Sequence, residues 1–388
     1  MFARYLPPEY SGAAAQAFLL AGELRARGHH VEFVTQSWNG RCREYVVDGF
    51  PVTALAMQVH AKHQEFSIWR SLAVHLWRRR HHVDILHGQG AYYTQSILGP
   101  LGRLLGKPTL VKASLSQNDL SSLSHSTIAP VHRRFLRLVD AYVAISEDLE
   151  AEFDQKGMSP ERVWHIPKGV DTERFSPVDE ARRKALTESL GLPTDRPIGL
   201  FVGVFDERKR IGWLLRQWVA TQGFGSGVHL AAVGPTSRDS YGAALKRELH
   251  ALAQEHPALI TVRDFSPDIV HYYQAASLLL FPSHREGLPN TVLEAMACAL
   301  PCVVARAPGS RELVQDGVNG ATFAVDDAAE LRAAVQQVMA APAQLGARGR
   351  EIAIERYGIG AITDRYEALY AHLVSVRRGT HAQGEDTA

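Results

Sequence analysis

Two successive doubly wound α/β domains are what this 388-residue sequence predicts. Three observations point there. Short β-branched apolar runs alternate with helical stretches; a Pro/Gly/polar connector interrupts the alternation, which then restarts; and the length exceeds one ordinary core. With 46% hydrophobic and 21% charged residues, the composition is a normal globular one.

The first series of strands is expected at 31–36 (VEFVTQ), 83–88 (VDILHG), 108–113 (PTLVKA) and 141–146 (AYVAIS). Between them, FSIWRSLAVHLW (66–77) sets Phe66, Trp69, Leu72, Ala73 and Leu76 on one helical face. Residues 163–177 gather Pro, Gly and polar side chains and read as a connector. The second series is expected at 197–203, 228–234, 259–265, 277–283 and 301–306. Apolar runs without period-2 alternation mark strands covered on both faces, as in parallel sheets flanked by helices. Ligands bind outside the carboxyl ends of such strands, so two such domains are expected to face each other across a cleft. The domains are expected at 1–167 and 168–378, with the last helix returning toward the first domain and 379–388 a flexible polar tail. Only MFARYL precedes Pro7, so the first strand reads as clipped.

Several function classes are disfavoured. No stretch reaches the ~20 apolar residues of a membrane span, and the N-terminus does not read as a secretory leader. Three cysteines (Cys42, Cys298, Cys302) are too few, and odd in number, for a disulfide framework, which predicts a reducing, cytoplasmic setting. Cys298 and Cys302 read as small apolar packing groups, and His60 and His63, without a third ligand, as surface histidines. The net charge is +1, yet residues 50–118 carry 8 basic against 2 acidic side chains, including WRRRHH at 77–82. That patch is too modest for nucleic acid. It leaves two readings open: a solvated helix face, or weak contact with the anionic inner face of a membrane.

Three motifs carry chemistry. PPEYSGAAAQ (7–16) runs a small-residue loop into a helix, whose free N–H groups at Gly12 suit a phosphate. FVGVFDERKRIGWLL (201–215) carries Arg208, Lys209 and Arg210 from the end of a buried strand into a helix, which leaves two readings open: cations that balance a diphosphate, or a solvated basic turn. SHREGLPNTVLEAMA (283–297) places Glu286 in a loop and Glu294 in the second turn of the next helix. A diphosphate at the helix start near Asn290–Val292 would sit between the two carboxylates, whose separation matches a sugar-diphosphate-ribose.

The order S-x-x-E-G-L-P-x-x-x-x-E-A-M-A after an apolar strand resembles the E-x7-E signature of the retaining family-four glycosyltransferases with the GT-B fold. AISEDLEAEF (144–153), VWHIPKGVDTERF (163–175) and APGSRELVQDGVNGATF (307–323) resemble further segments of that family, so the likeness covers nearly the whole chain. It implies a metal-independent, retaining hexosyltransferase without cofactor, using a UDP-, GDP- or ADP-sugar and a saccharide or lipid-linked hydroxyl acceptor, in polysaccharide or glycolipid synthesis. By the same resemblance Lys209, with Arg208 beside it, binds the donor diphosphate. Glu286 lies by the donor sugar, Gly287, Leu288, Pro289, Asn290 and Thr291 line the donor, Glu294 holds the ribose hydroxyls, and Gly12 approaches the phosphates. The chain departs from the family at Val204, where an arginine is usual; Arg208 or Arg210 would stand in. Lys168 replaces a common asparagine. Ala113 and Ser114 replace an acceptor-side histidine, leaving Ser114, and His87 or His125, as acceptor candidates. Two alternatives share the fold: a nucleotide-sugar epimerase, and a degenerate non-catalytic partner.

Overall fold

The structure is a computed structural model, and it describes all residues except 8–11, 38–39, 58–63, 116–118, 121–127, 238–239 and 386–388. Ser11, His60, His63 and His125 lie outside the described residues. The chain divides into two compact units: Met1–Gly169 with Ile359–Ala388, and Val170–Gly358.

The first unit is built on an 8-stranded sheet, ordered β3-β4-β2-β1-β5-β6-β7-β8. Its strands are β1 (Phe2–Ala3), β2 (Phe33–Ser37), β3 (Arg43–Val47), β4 (Phe50–Ala56), β5 (Leu86–Gln89), β6 (Thr109–Lys112), β7 (Ala141–Ala144) and β8 (Val163–His165). All neighbours pair in parallel except β3 with β4, a hairpin at the sheet edge. The first strand, β1, has two residues and pairs β2 on one side and β5 on the other. Residues 163–165, expected as connector, form the edge strand β8 on β7.

On helix Gln64–Arg79 the expected apolar face is displaced. Ile68, Trp69, Leu72 and Leu76 are buried, whereas Phe66 is 50% exposed and Ala73 half-buried. Trp69 packs against Phe135 and His132 in the core, while Trp77 stays exposed with the Arg80 guanidinium 4.6 Å over its ring. Of the two tryptophans on this helix, only Trp77 is therefore exposed. Among the described residues no helix is long and apolar enough to cross a membrane.

The second unit holds a 6-stranded parallel sheet, ordered β11-β10-β9-β12-β13-β14: β9 (Ile198–Val202), β10 (His229–Val233), β11 (Ile260–Arg263), β12 (Leu278–Phe281), β13 (Cys302–Ala305) and β14 (Gly320–Phe323). In sequence order that is 3-2-1-4-5-6, the dinucleotide-binding doubly wound arrangement, which reverses direction between β9 and β12. Both faces are covered, which is why its strands read as unbroken apolar runs: β10, β12 and β13 are buried throughout. Cys298 and Cys302 belong to this interior, and burial pushes the Cys298 thiol up to about 12.

The second unit ends at Gly358, not at 378. The last helix, Ile359–Glu385, is part of the first unit and extends to residue 385 of the segment 379–388 expected as a flexible tail. Ile362, Tyr366, Leu369 and Leu373 follow a helical stripe, and they pack with Leu20, Leu24 and Leu110. Arg27 fastens it by bonds to Asp364 (2.5 Å), Glu367 (2.6 Å) and the Gly360 carbonyl (2.9 Å).

Candidate functional site

At the carboxyl end of β9 the chain turns through Asp206, whose Oδ1 accepts the Lys209 backbone N–H at 2.8 Å. The turn brings Arg208 and Lys209 up beside the loop that follows β12. There Ser283, Glu286 and Gly287 lead to Pro289 and the helix Asn290–Ala297. The two loops leave neighbouring strands at the point where the strand order reverses, the place where such sheets bind ligands.

Glu286 is the centre of the cluster and is 7% exposed. Its Oε1 accepts from Ser283 Oγ at 2.6 Å and from Arg208 Nη1 at 2.6 Å, and pairs with Lys209 Nζ at 2.7 Å. Burial opposes its charge, but the two cations and the hydroxyl outweigh it and hold the carboxyl at about 2. Lys209 is 8% exposed and sits 4.7 Å over the Phe281 ring; burial pulls its pKa below the usual lysine range. Arg208 also donates to the Arg285 carbonyl at 2.9 Å. Two cations thus stand fixed by one carboxylate beside a helix start. Such a cluster can take up the negative charge of a phosphate group.

The loop backbone is clamped from a third element. Gly309 adopts φ +74°, and a Cβ there would lie 2.3 Å from the Gly287 carbonyl oxygen. The Glu286 N–H donates to the Pro308 carbonyl at 3.1 Å. Thr291 Oγ1 donates to the Val202 carbonyl at 3.3 Å, tying the helix start to the end of β9. In the helix's second turn Glu294 is half-buried, and its Oε2 accepts from Tyr273 Oη at 2.7 Å. Arg350 caps the far end: its guanidinium donates to the Ala297 carbonyl and, at 3.3 Å, to that of Phe175.

The structure therefore gathers Lys209, Arg208, Glu286, Gly287, Leu288, Pro289, Asn290, Thr291 and Glu294 within the second unit. Arg210 does not join them. Its backbone is left-handed (φ 57°) and its side chain pairs with Asp326, Nε to Oδ1 at 2.8 Å. Of the two stand-ins for the arginine missing at Val204, only Arg208 is in place.

The remaining candidates lie in the first unit. Gly12 opens the helix Gly12–Ala26. His87, in β5, is 2% exposed, bonded through Nδ1 to Tyr370 Oη at 2.8 Å and stacked on Tyr366. Burial, then Lys112, hold it well below the usual histidine range, so it is a neutral core residue packed against the last helix. Ser114 follows β6, where its N–H (2.6 Å) and Oγ (2.9 Å) both donate to buried Asp119. Sequence reasoning missed Asp206, Ser283 as a ligand of Glu286, Tyr273 and Gly309. Only Ser283 had a visible signal, three residues before Glu286 in the signature.

Two family descriptions match consecutive parts of the chain. "Glycosyltransferase Family 4" covers residues 10–174 and "Glycosyl transferases group 1" covers residues 196–341. A D-inositol 3-phosphate glycosyltransferase of Geodermatophilus obscurus is 32% identical over 296 residues, 69% of this chain and 62% of that one. The chain thus spans less than two thirds of that curated relative's length. Among solved structures, a sucrose-phosphate synthase of Thermosynechococcus elongatus is similar with TM-score 0.77 at 22% identity, covering 97% of this chain and 99% of that one. The Anabaena protein HepE, in complex with UDP and glucose, is similar with TM-score 0.76 at 18% identity, covering 95% and 98%. At these identities the likeness shows the fold, which is GT-B.

Proposed function

This chain belongs to the family-four glycosyltransferases, and on that footing we propose that it transfers a hexosyl group from a nucleoside-diphosphate sugar to a hydroxyl acceptor, with retention at the anomeric carbon. The observation that carries this reading is the convergence of Lys209, Arg208 and Glu286 where the strand order reverses. As the donor's glycosidic bond breaks, negative charge grows on the departing diphosphate. Cations already ordered in a water-poor site stabilise that charge more than they stabilise the bound donor. Two protein cations and a helix start then do what a divalent ion does in metal-assisted transfer. In this reading the reaction needs neither metal nor cofactor, Glu286 fixes the cations beside the donor sugar, and Glu294 receives the ribose hydroxyls.

UDP-sugars are the first donors to try, because HepE holds UDP and glucose; GDP- and ADP-sugars follow. The name of the Geodermatophilus relative supports a ring-hydroxyl acceptor. A saccharide or lipid-linked acceptor in cell-surface polysaccharide or glycolipid synthesis fits the proposal.

The test is a panel of UDP-, GDP- and ADP-sugars in thermal unfolding, followed by transfer assays with EDTA present. The true donor, at 100 times its Kd, adds ~2.7 kcal/mol of stability. Transfer should persist in EDTA and give a product of the donor's own anomeric configuration. Silence from every nucleotide would sink the reading; an inverted product or a strict Mg2+ requirement would sink its mechanism.

A further inference from the structure

Helix Gln64–Arg79 is apolar on two sides, and the core uses only one of them. Ile68, Trp69, Leu72 and Leu76 face inward, whereas Phe66, Val74 and Trp77 are exposed. At about 100° per residue, Phe66, Trp77, Arg70 and Val74 share an arc of about 80° on the outer side. A surface helix ordinarily keeps that side polar.

The same composition recurs on the two helices packed beside it. Phe135 of helix Ala129–Leu136 meets the Trp69 ring at 5.3 Å, and its carbonyl lies against Gly99 of helix Leu98–Leu105. The three therefore form one layer. Leu98 and Val111 both crowd Gly88, so the layer lies on the Val111 face of the sheet. Neighbouring Leu110 packs with the last helix, which covers the opposite face. On the outer side of the layer Leu104 and Val131 are exposed, beside Arg103, Arg133 and Arg134.

The concentration is marked. Five of the twelve exposed large hydrophobic side chains among the described residues stand on these three helices, which make up less than a tenth of the chain. The same helices carry six arginines and a single acidic residue, Glu65. A solvated face accounts for the arginines but not for the apolar side chains between them. A nucleic acid would take the arginines and leave Phe66, Val74, Leu104 and Val131 idle. An anionic bilayer uses both. Apolar tips enter the boundary between headgroups and acyl chains, tryptophan sits at headgroup level, and guanidinium groups meet lipid phosphates. Trp77 already stands under the Arg80 guanidinium in the pairing that such a boundary favours. The layer has an edge as well. Helix Glu147–Gln155 packs on the same face through Phe153 and Tyr142, and it exposes Glu147, Glu150 and Asp154. That acidic rim repels anionic lipid and centres the contact on helix Gln64–Arg79.

We propose that the outer side of helices Gln64–Arg79, Leu98–Leu105 and Ala129–Leu136 docks on the surface of an anionic lipid bilayer. The docking goes beyond the transferase reading and does not depend on it.

Vesicles are the probe: phosphatidylcholine alone, and phosphatidylcholine with one third phosphatidylglycerol. The full chain is sedimented with each at low and at molar salt. Its partition coefficient should be at least tenfold higher on the anionic vesicles at low salt and should fall to the neutral value at molar salt. Arg70→Glu with Arg134→Glu should lower it at least tenfold, and Phe66→Ser with Trp77→Ser at least threefold. All four side chains are exposed, so melting temperatures should stay near wild type. Arg182→Glu with Arg183→Glu makes the same charge change on the exposed helix Glu180–Ser189 of the second unit and should bind like wild type. Lipids with brominated acyl chains should quench the wild-type tryptophan fluorescence, and Trp77→Phe should bind yet lose most of that quenching. Single-stranded RNA tests the competing polyanion. Equal partition on neutral and anionic vesicles, wild-type binding by either patch double variant, or tight RNA binding by a chain that ignores vesicles overturns the proposal.

Discussion

At Glu286 a single oxygen serves three donors, and the consequence is a pH signature. Its carboxyl is drawn from the ordinary 4.5 to about 2. A depressed carboxyl contributes stability that is fully present above pH 4.5 and is lost as pH falls toward 2. The shift corresponds to about 3 kcal/mol at neutral pH and about half of that at pH 3. Glu286→Gln should therefore be destabilised by about that amount at pH 7, and the gap to wild type should halve by pH 3. Denaturant unfolding at both pH values checks it; a gap independent of pH would mean that the carboxylate is not charged in the cluster. At this scale the meeting of Lys209 with Glu286 was legible in the sequence, where spacing and residue type spoke together. The sequence misplaced Arg210. Only the fold brings Asp326 to that side chain, which turned an expected diphosphate cation into a surface ion pair.

Elements were legible in proportion to how much of them is buried. The six strands of the second unit are covered on both faces, and those from β9 to β13 show as apolar runs. β1 has two residues, too short to display any period, and β3 is an exposed edge strand with no apolar run. On helix Gln64–Arg79 periodicity gave the helix but set its stripe slightly off, since Phe66 and Ile68 flank the Trp69–Leu72–Leu76 stripe on opposite edges and only packing chooses which edge is buried. Contacts between elements carry no local signal at all, and the clamp of Gly309 on Gly287 is the instructive case. Any side chain at 309 must push back the loop that carries Glu286 and would also be strained at φ +74°. Gly309→Ala should leave a folded protein with a lowered melting temperature and at least tenfold weaker nucleotide affinity, read by UDP titration. Unchanged affinity would show that the loop's position is not held from this side.

Across the whole molecule, the last helix was expected to return toward the first domain, and the structure makes it part of that unit. Its apolar stripe announces a helix, yet nothing in the stripe says which sheet it covers. The structure gives it to the first unit, where Ile362, Tyr366, Leu369 and Leu373 are each at most 6% exposed. Fully burying such side chains stabilises by ~1.5–3 kcal/mol apiece. Four of them therefore amount to roughly the whole 5–15 kcal/mol of a typical domain. The second unit's sheet and core cluster are built from its own residues. Its 6-stranded sheet and its core cluster, from Phe201 to Leu345, lie wholly within Val170–Gly358, as does the Lys209–Glu286 site. A fragment of residues 170–358 should accordingly unfold cooperatively and bind UDP with affinity close to its own Lys209-dependent share. A fragment of residues 1–169 should not fold unless residues 359–385 are supplied, as a fused or separate segment. Circular dichroism melts of the three preparations and a UDP titration of the first are sufficient. A stable 1–169 fragment would show that the last helix is not part of the first unit's core. A 170–358 fragment that folds but ignores UDP would move the donor site out of the second unit's own residues.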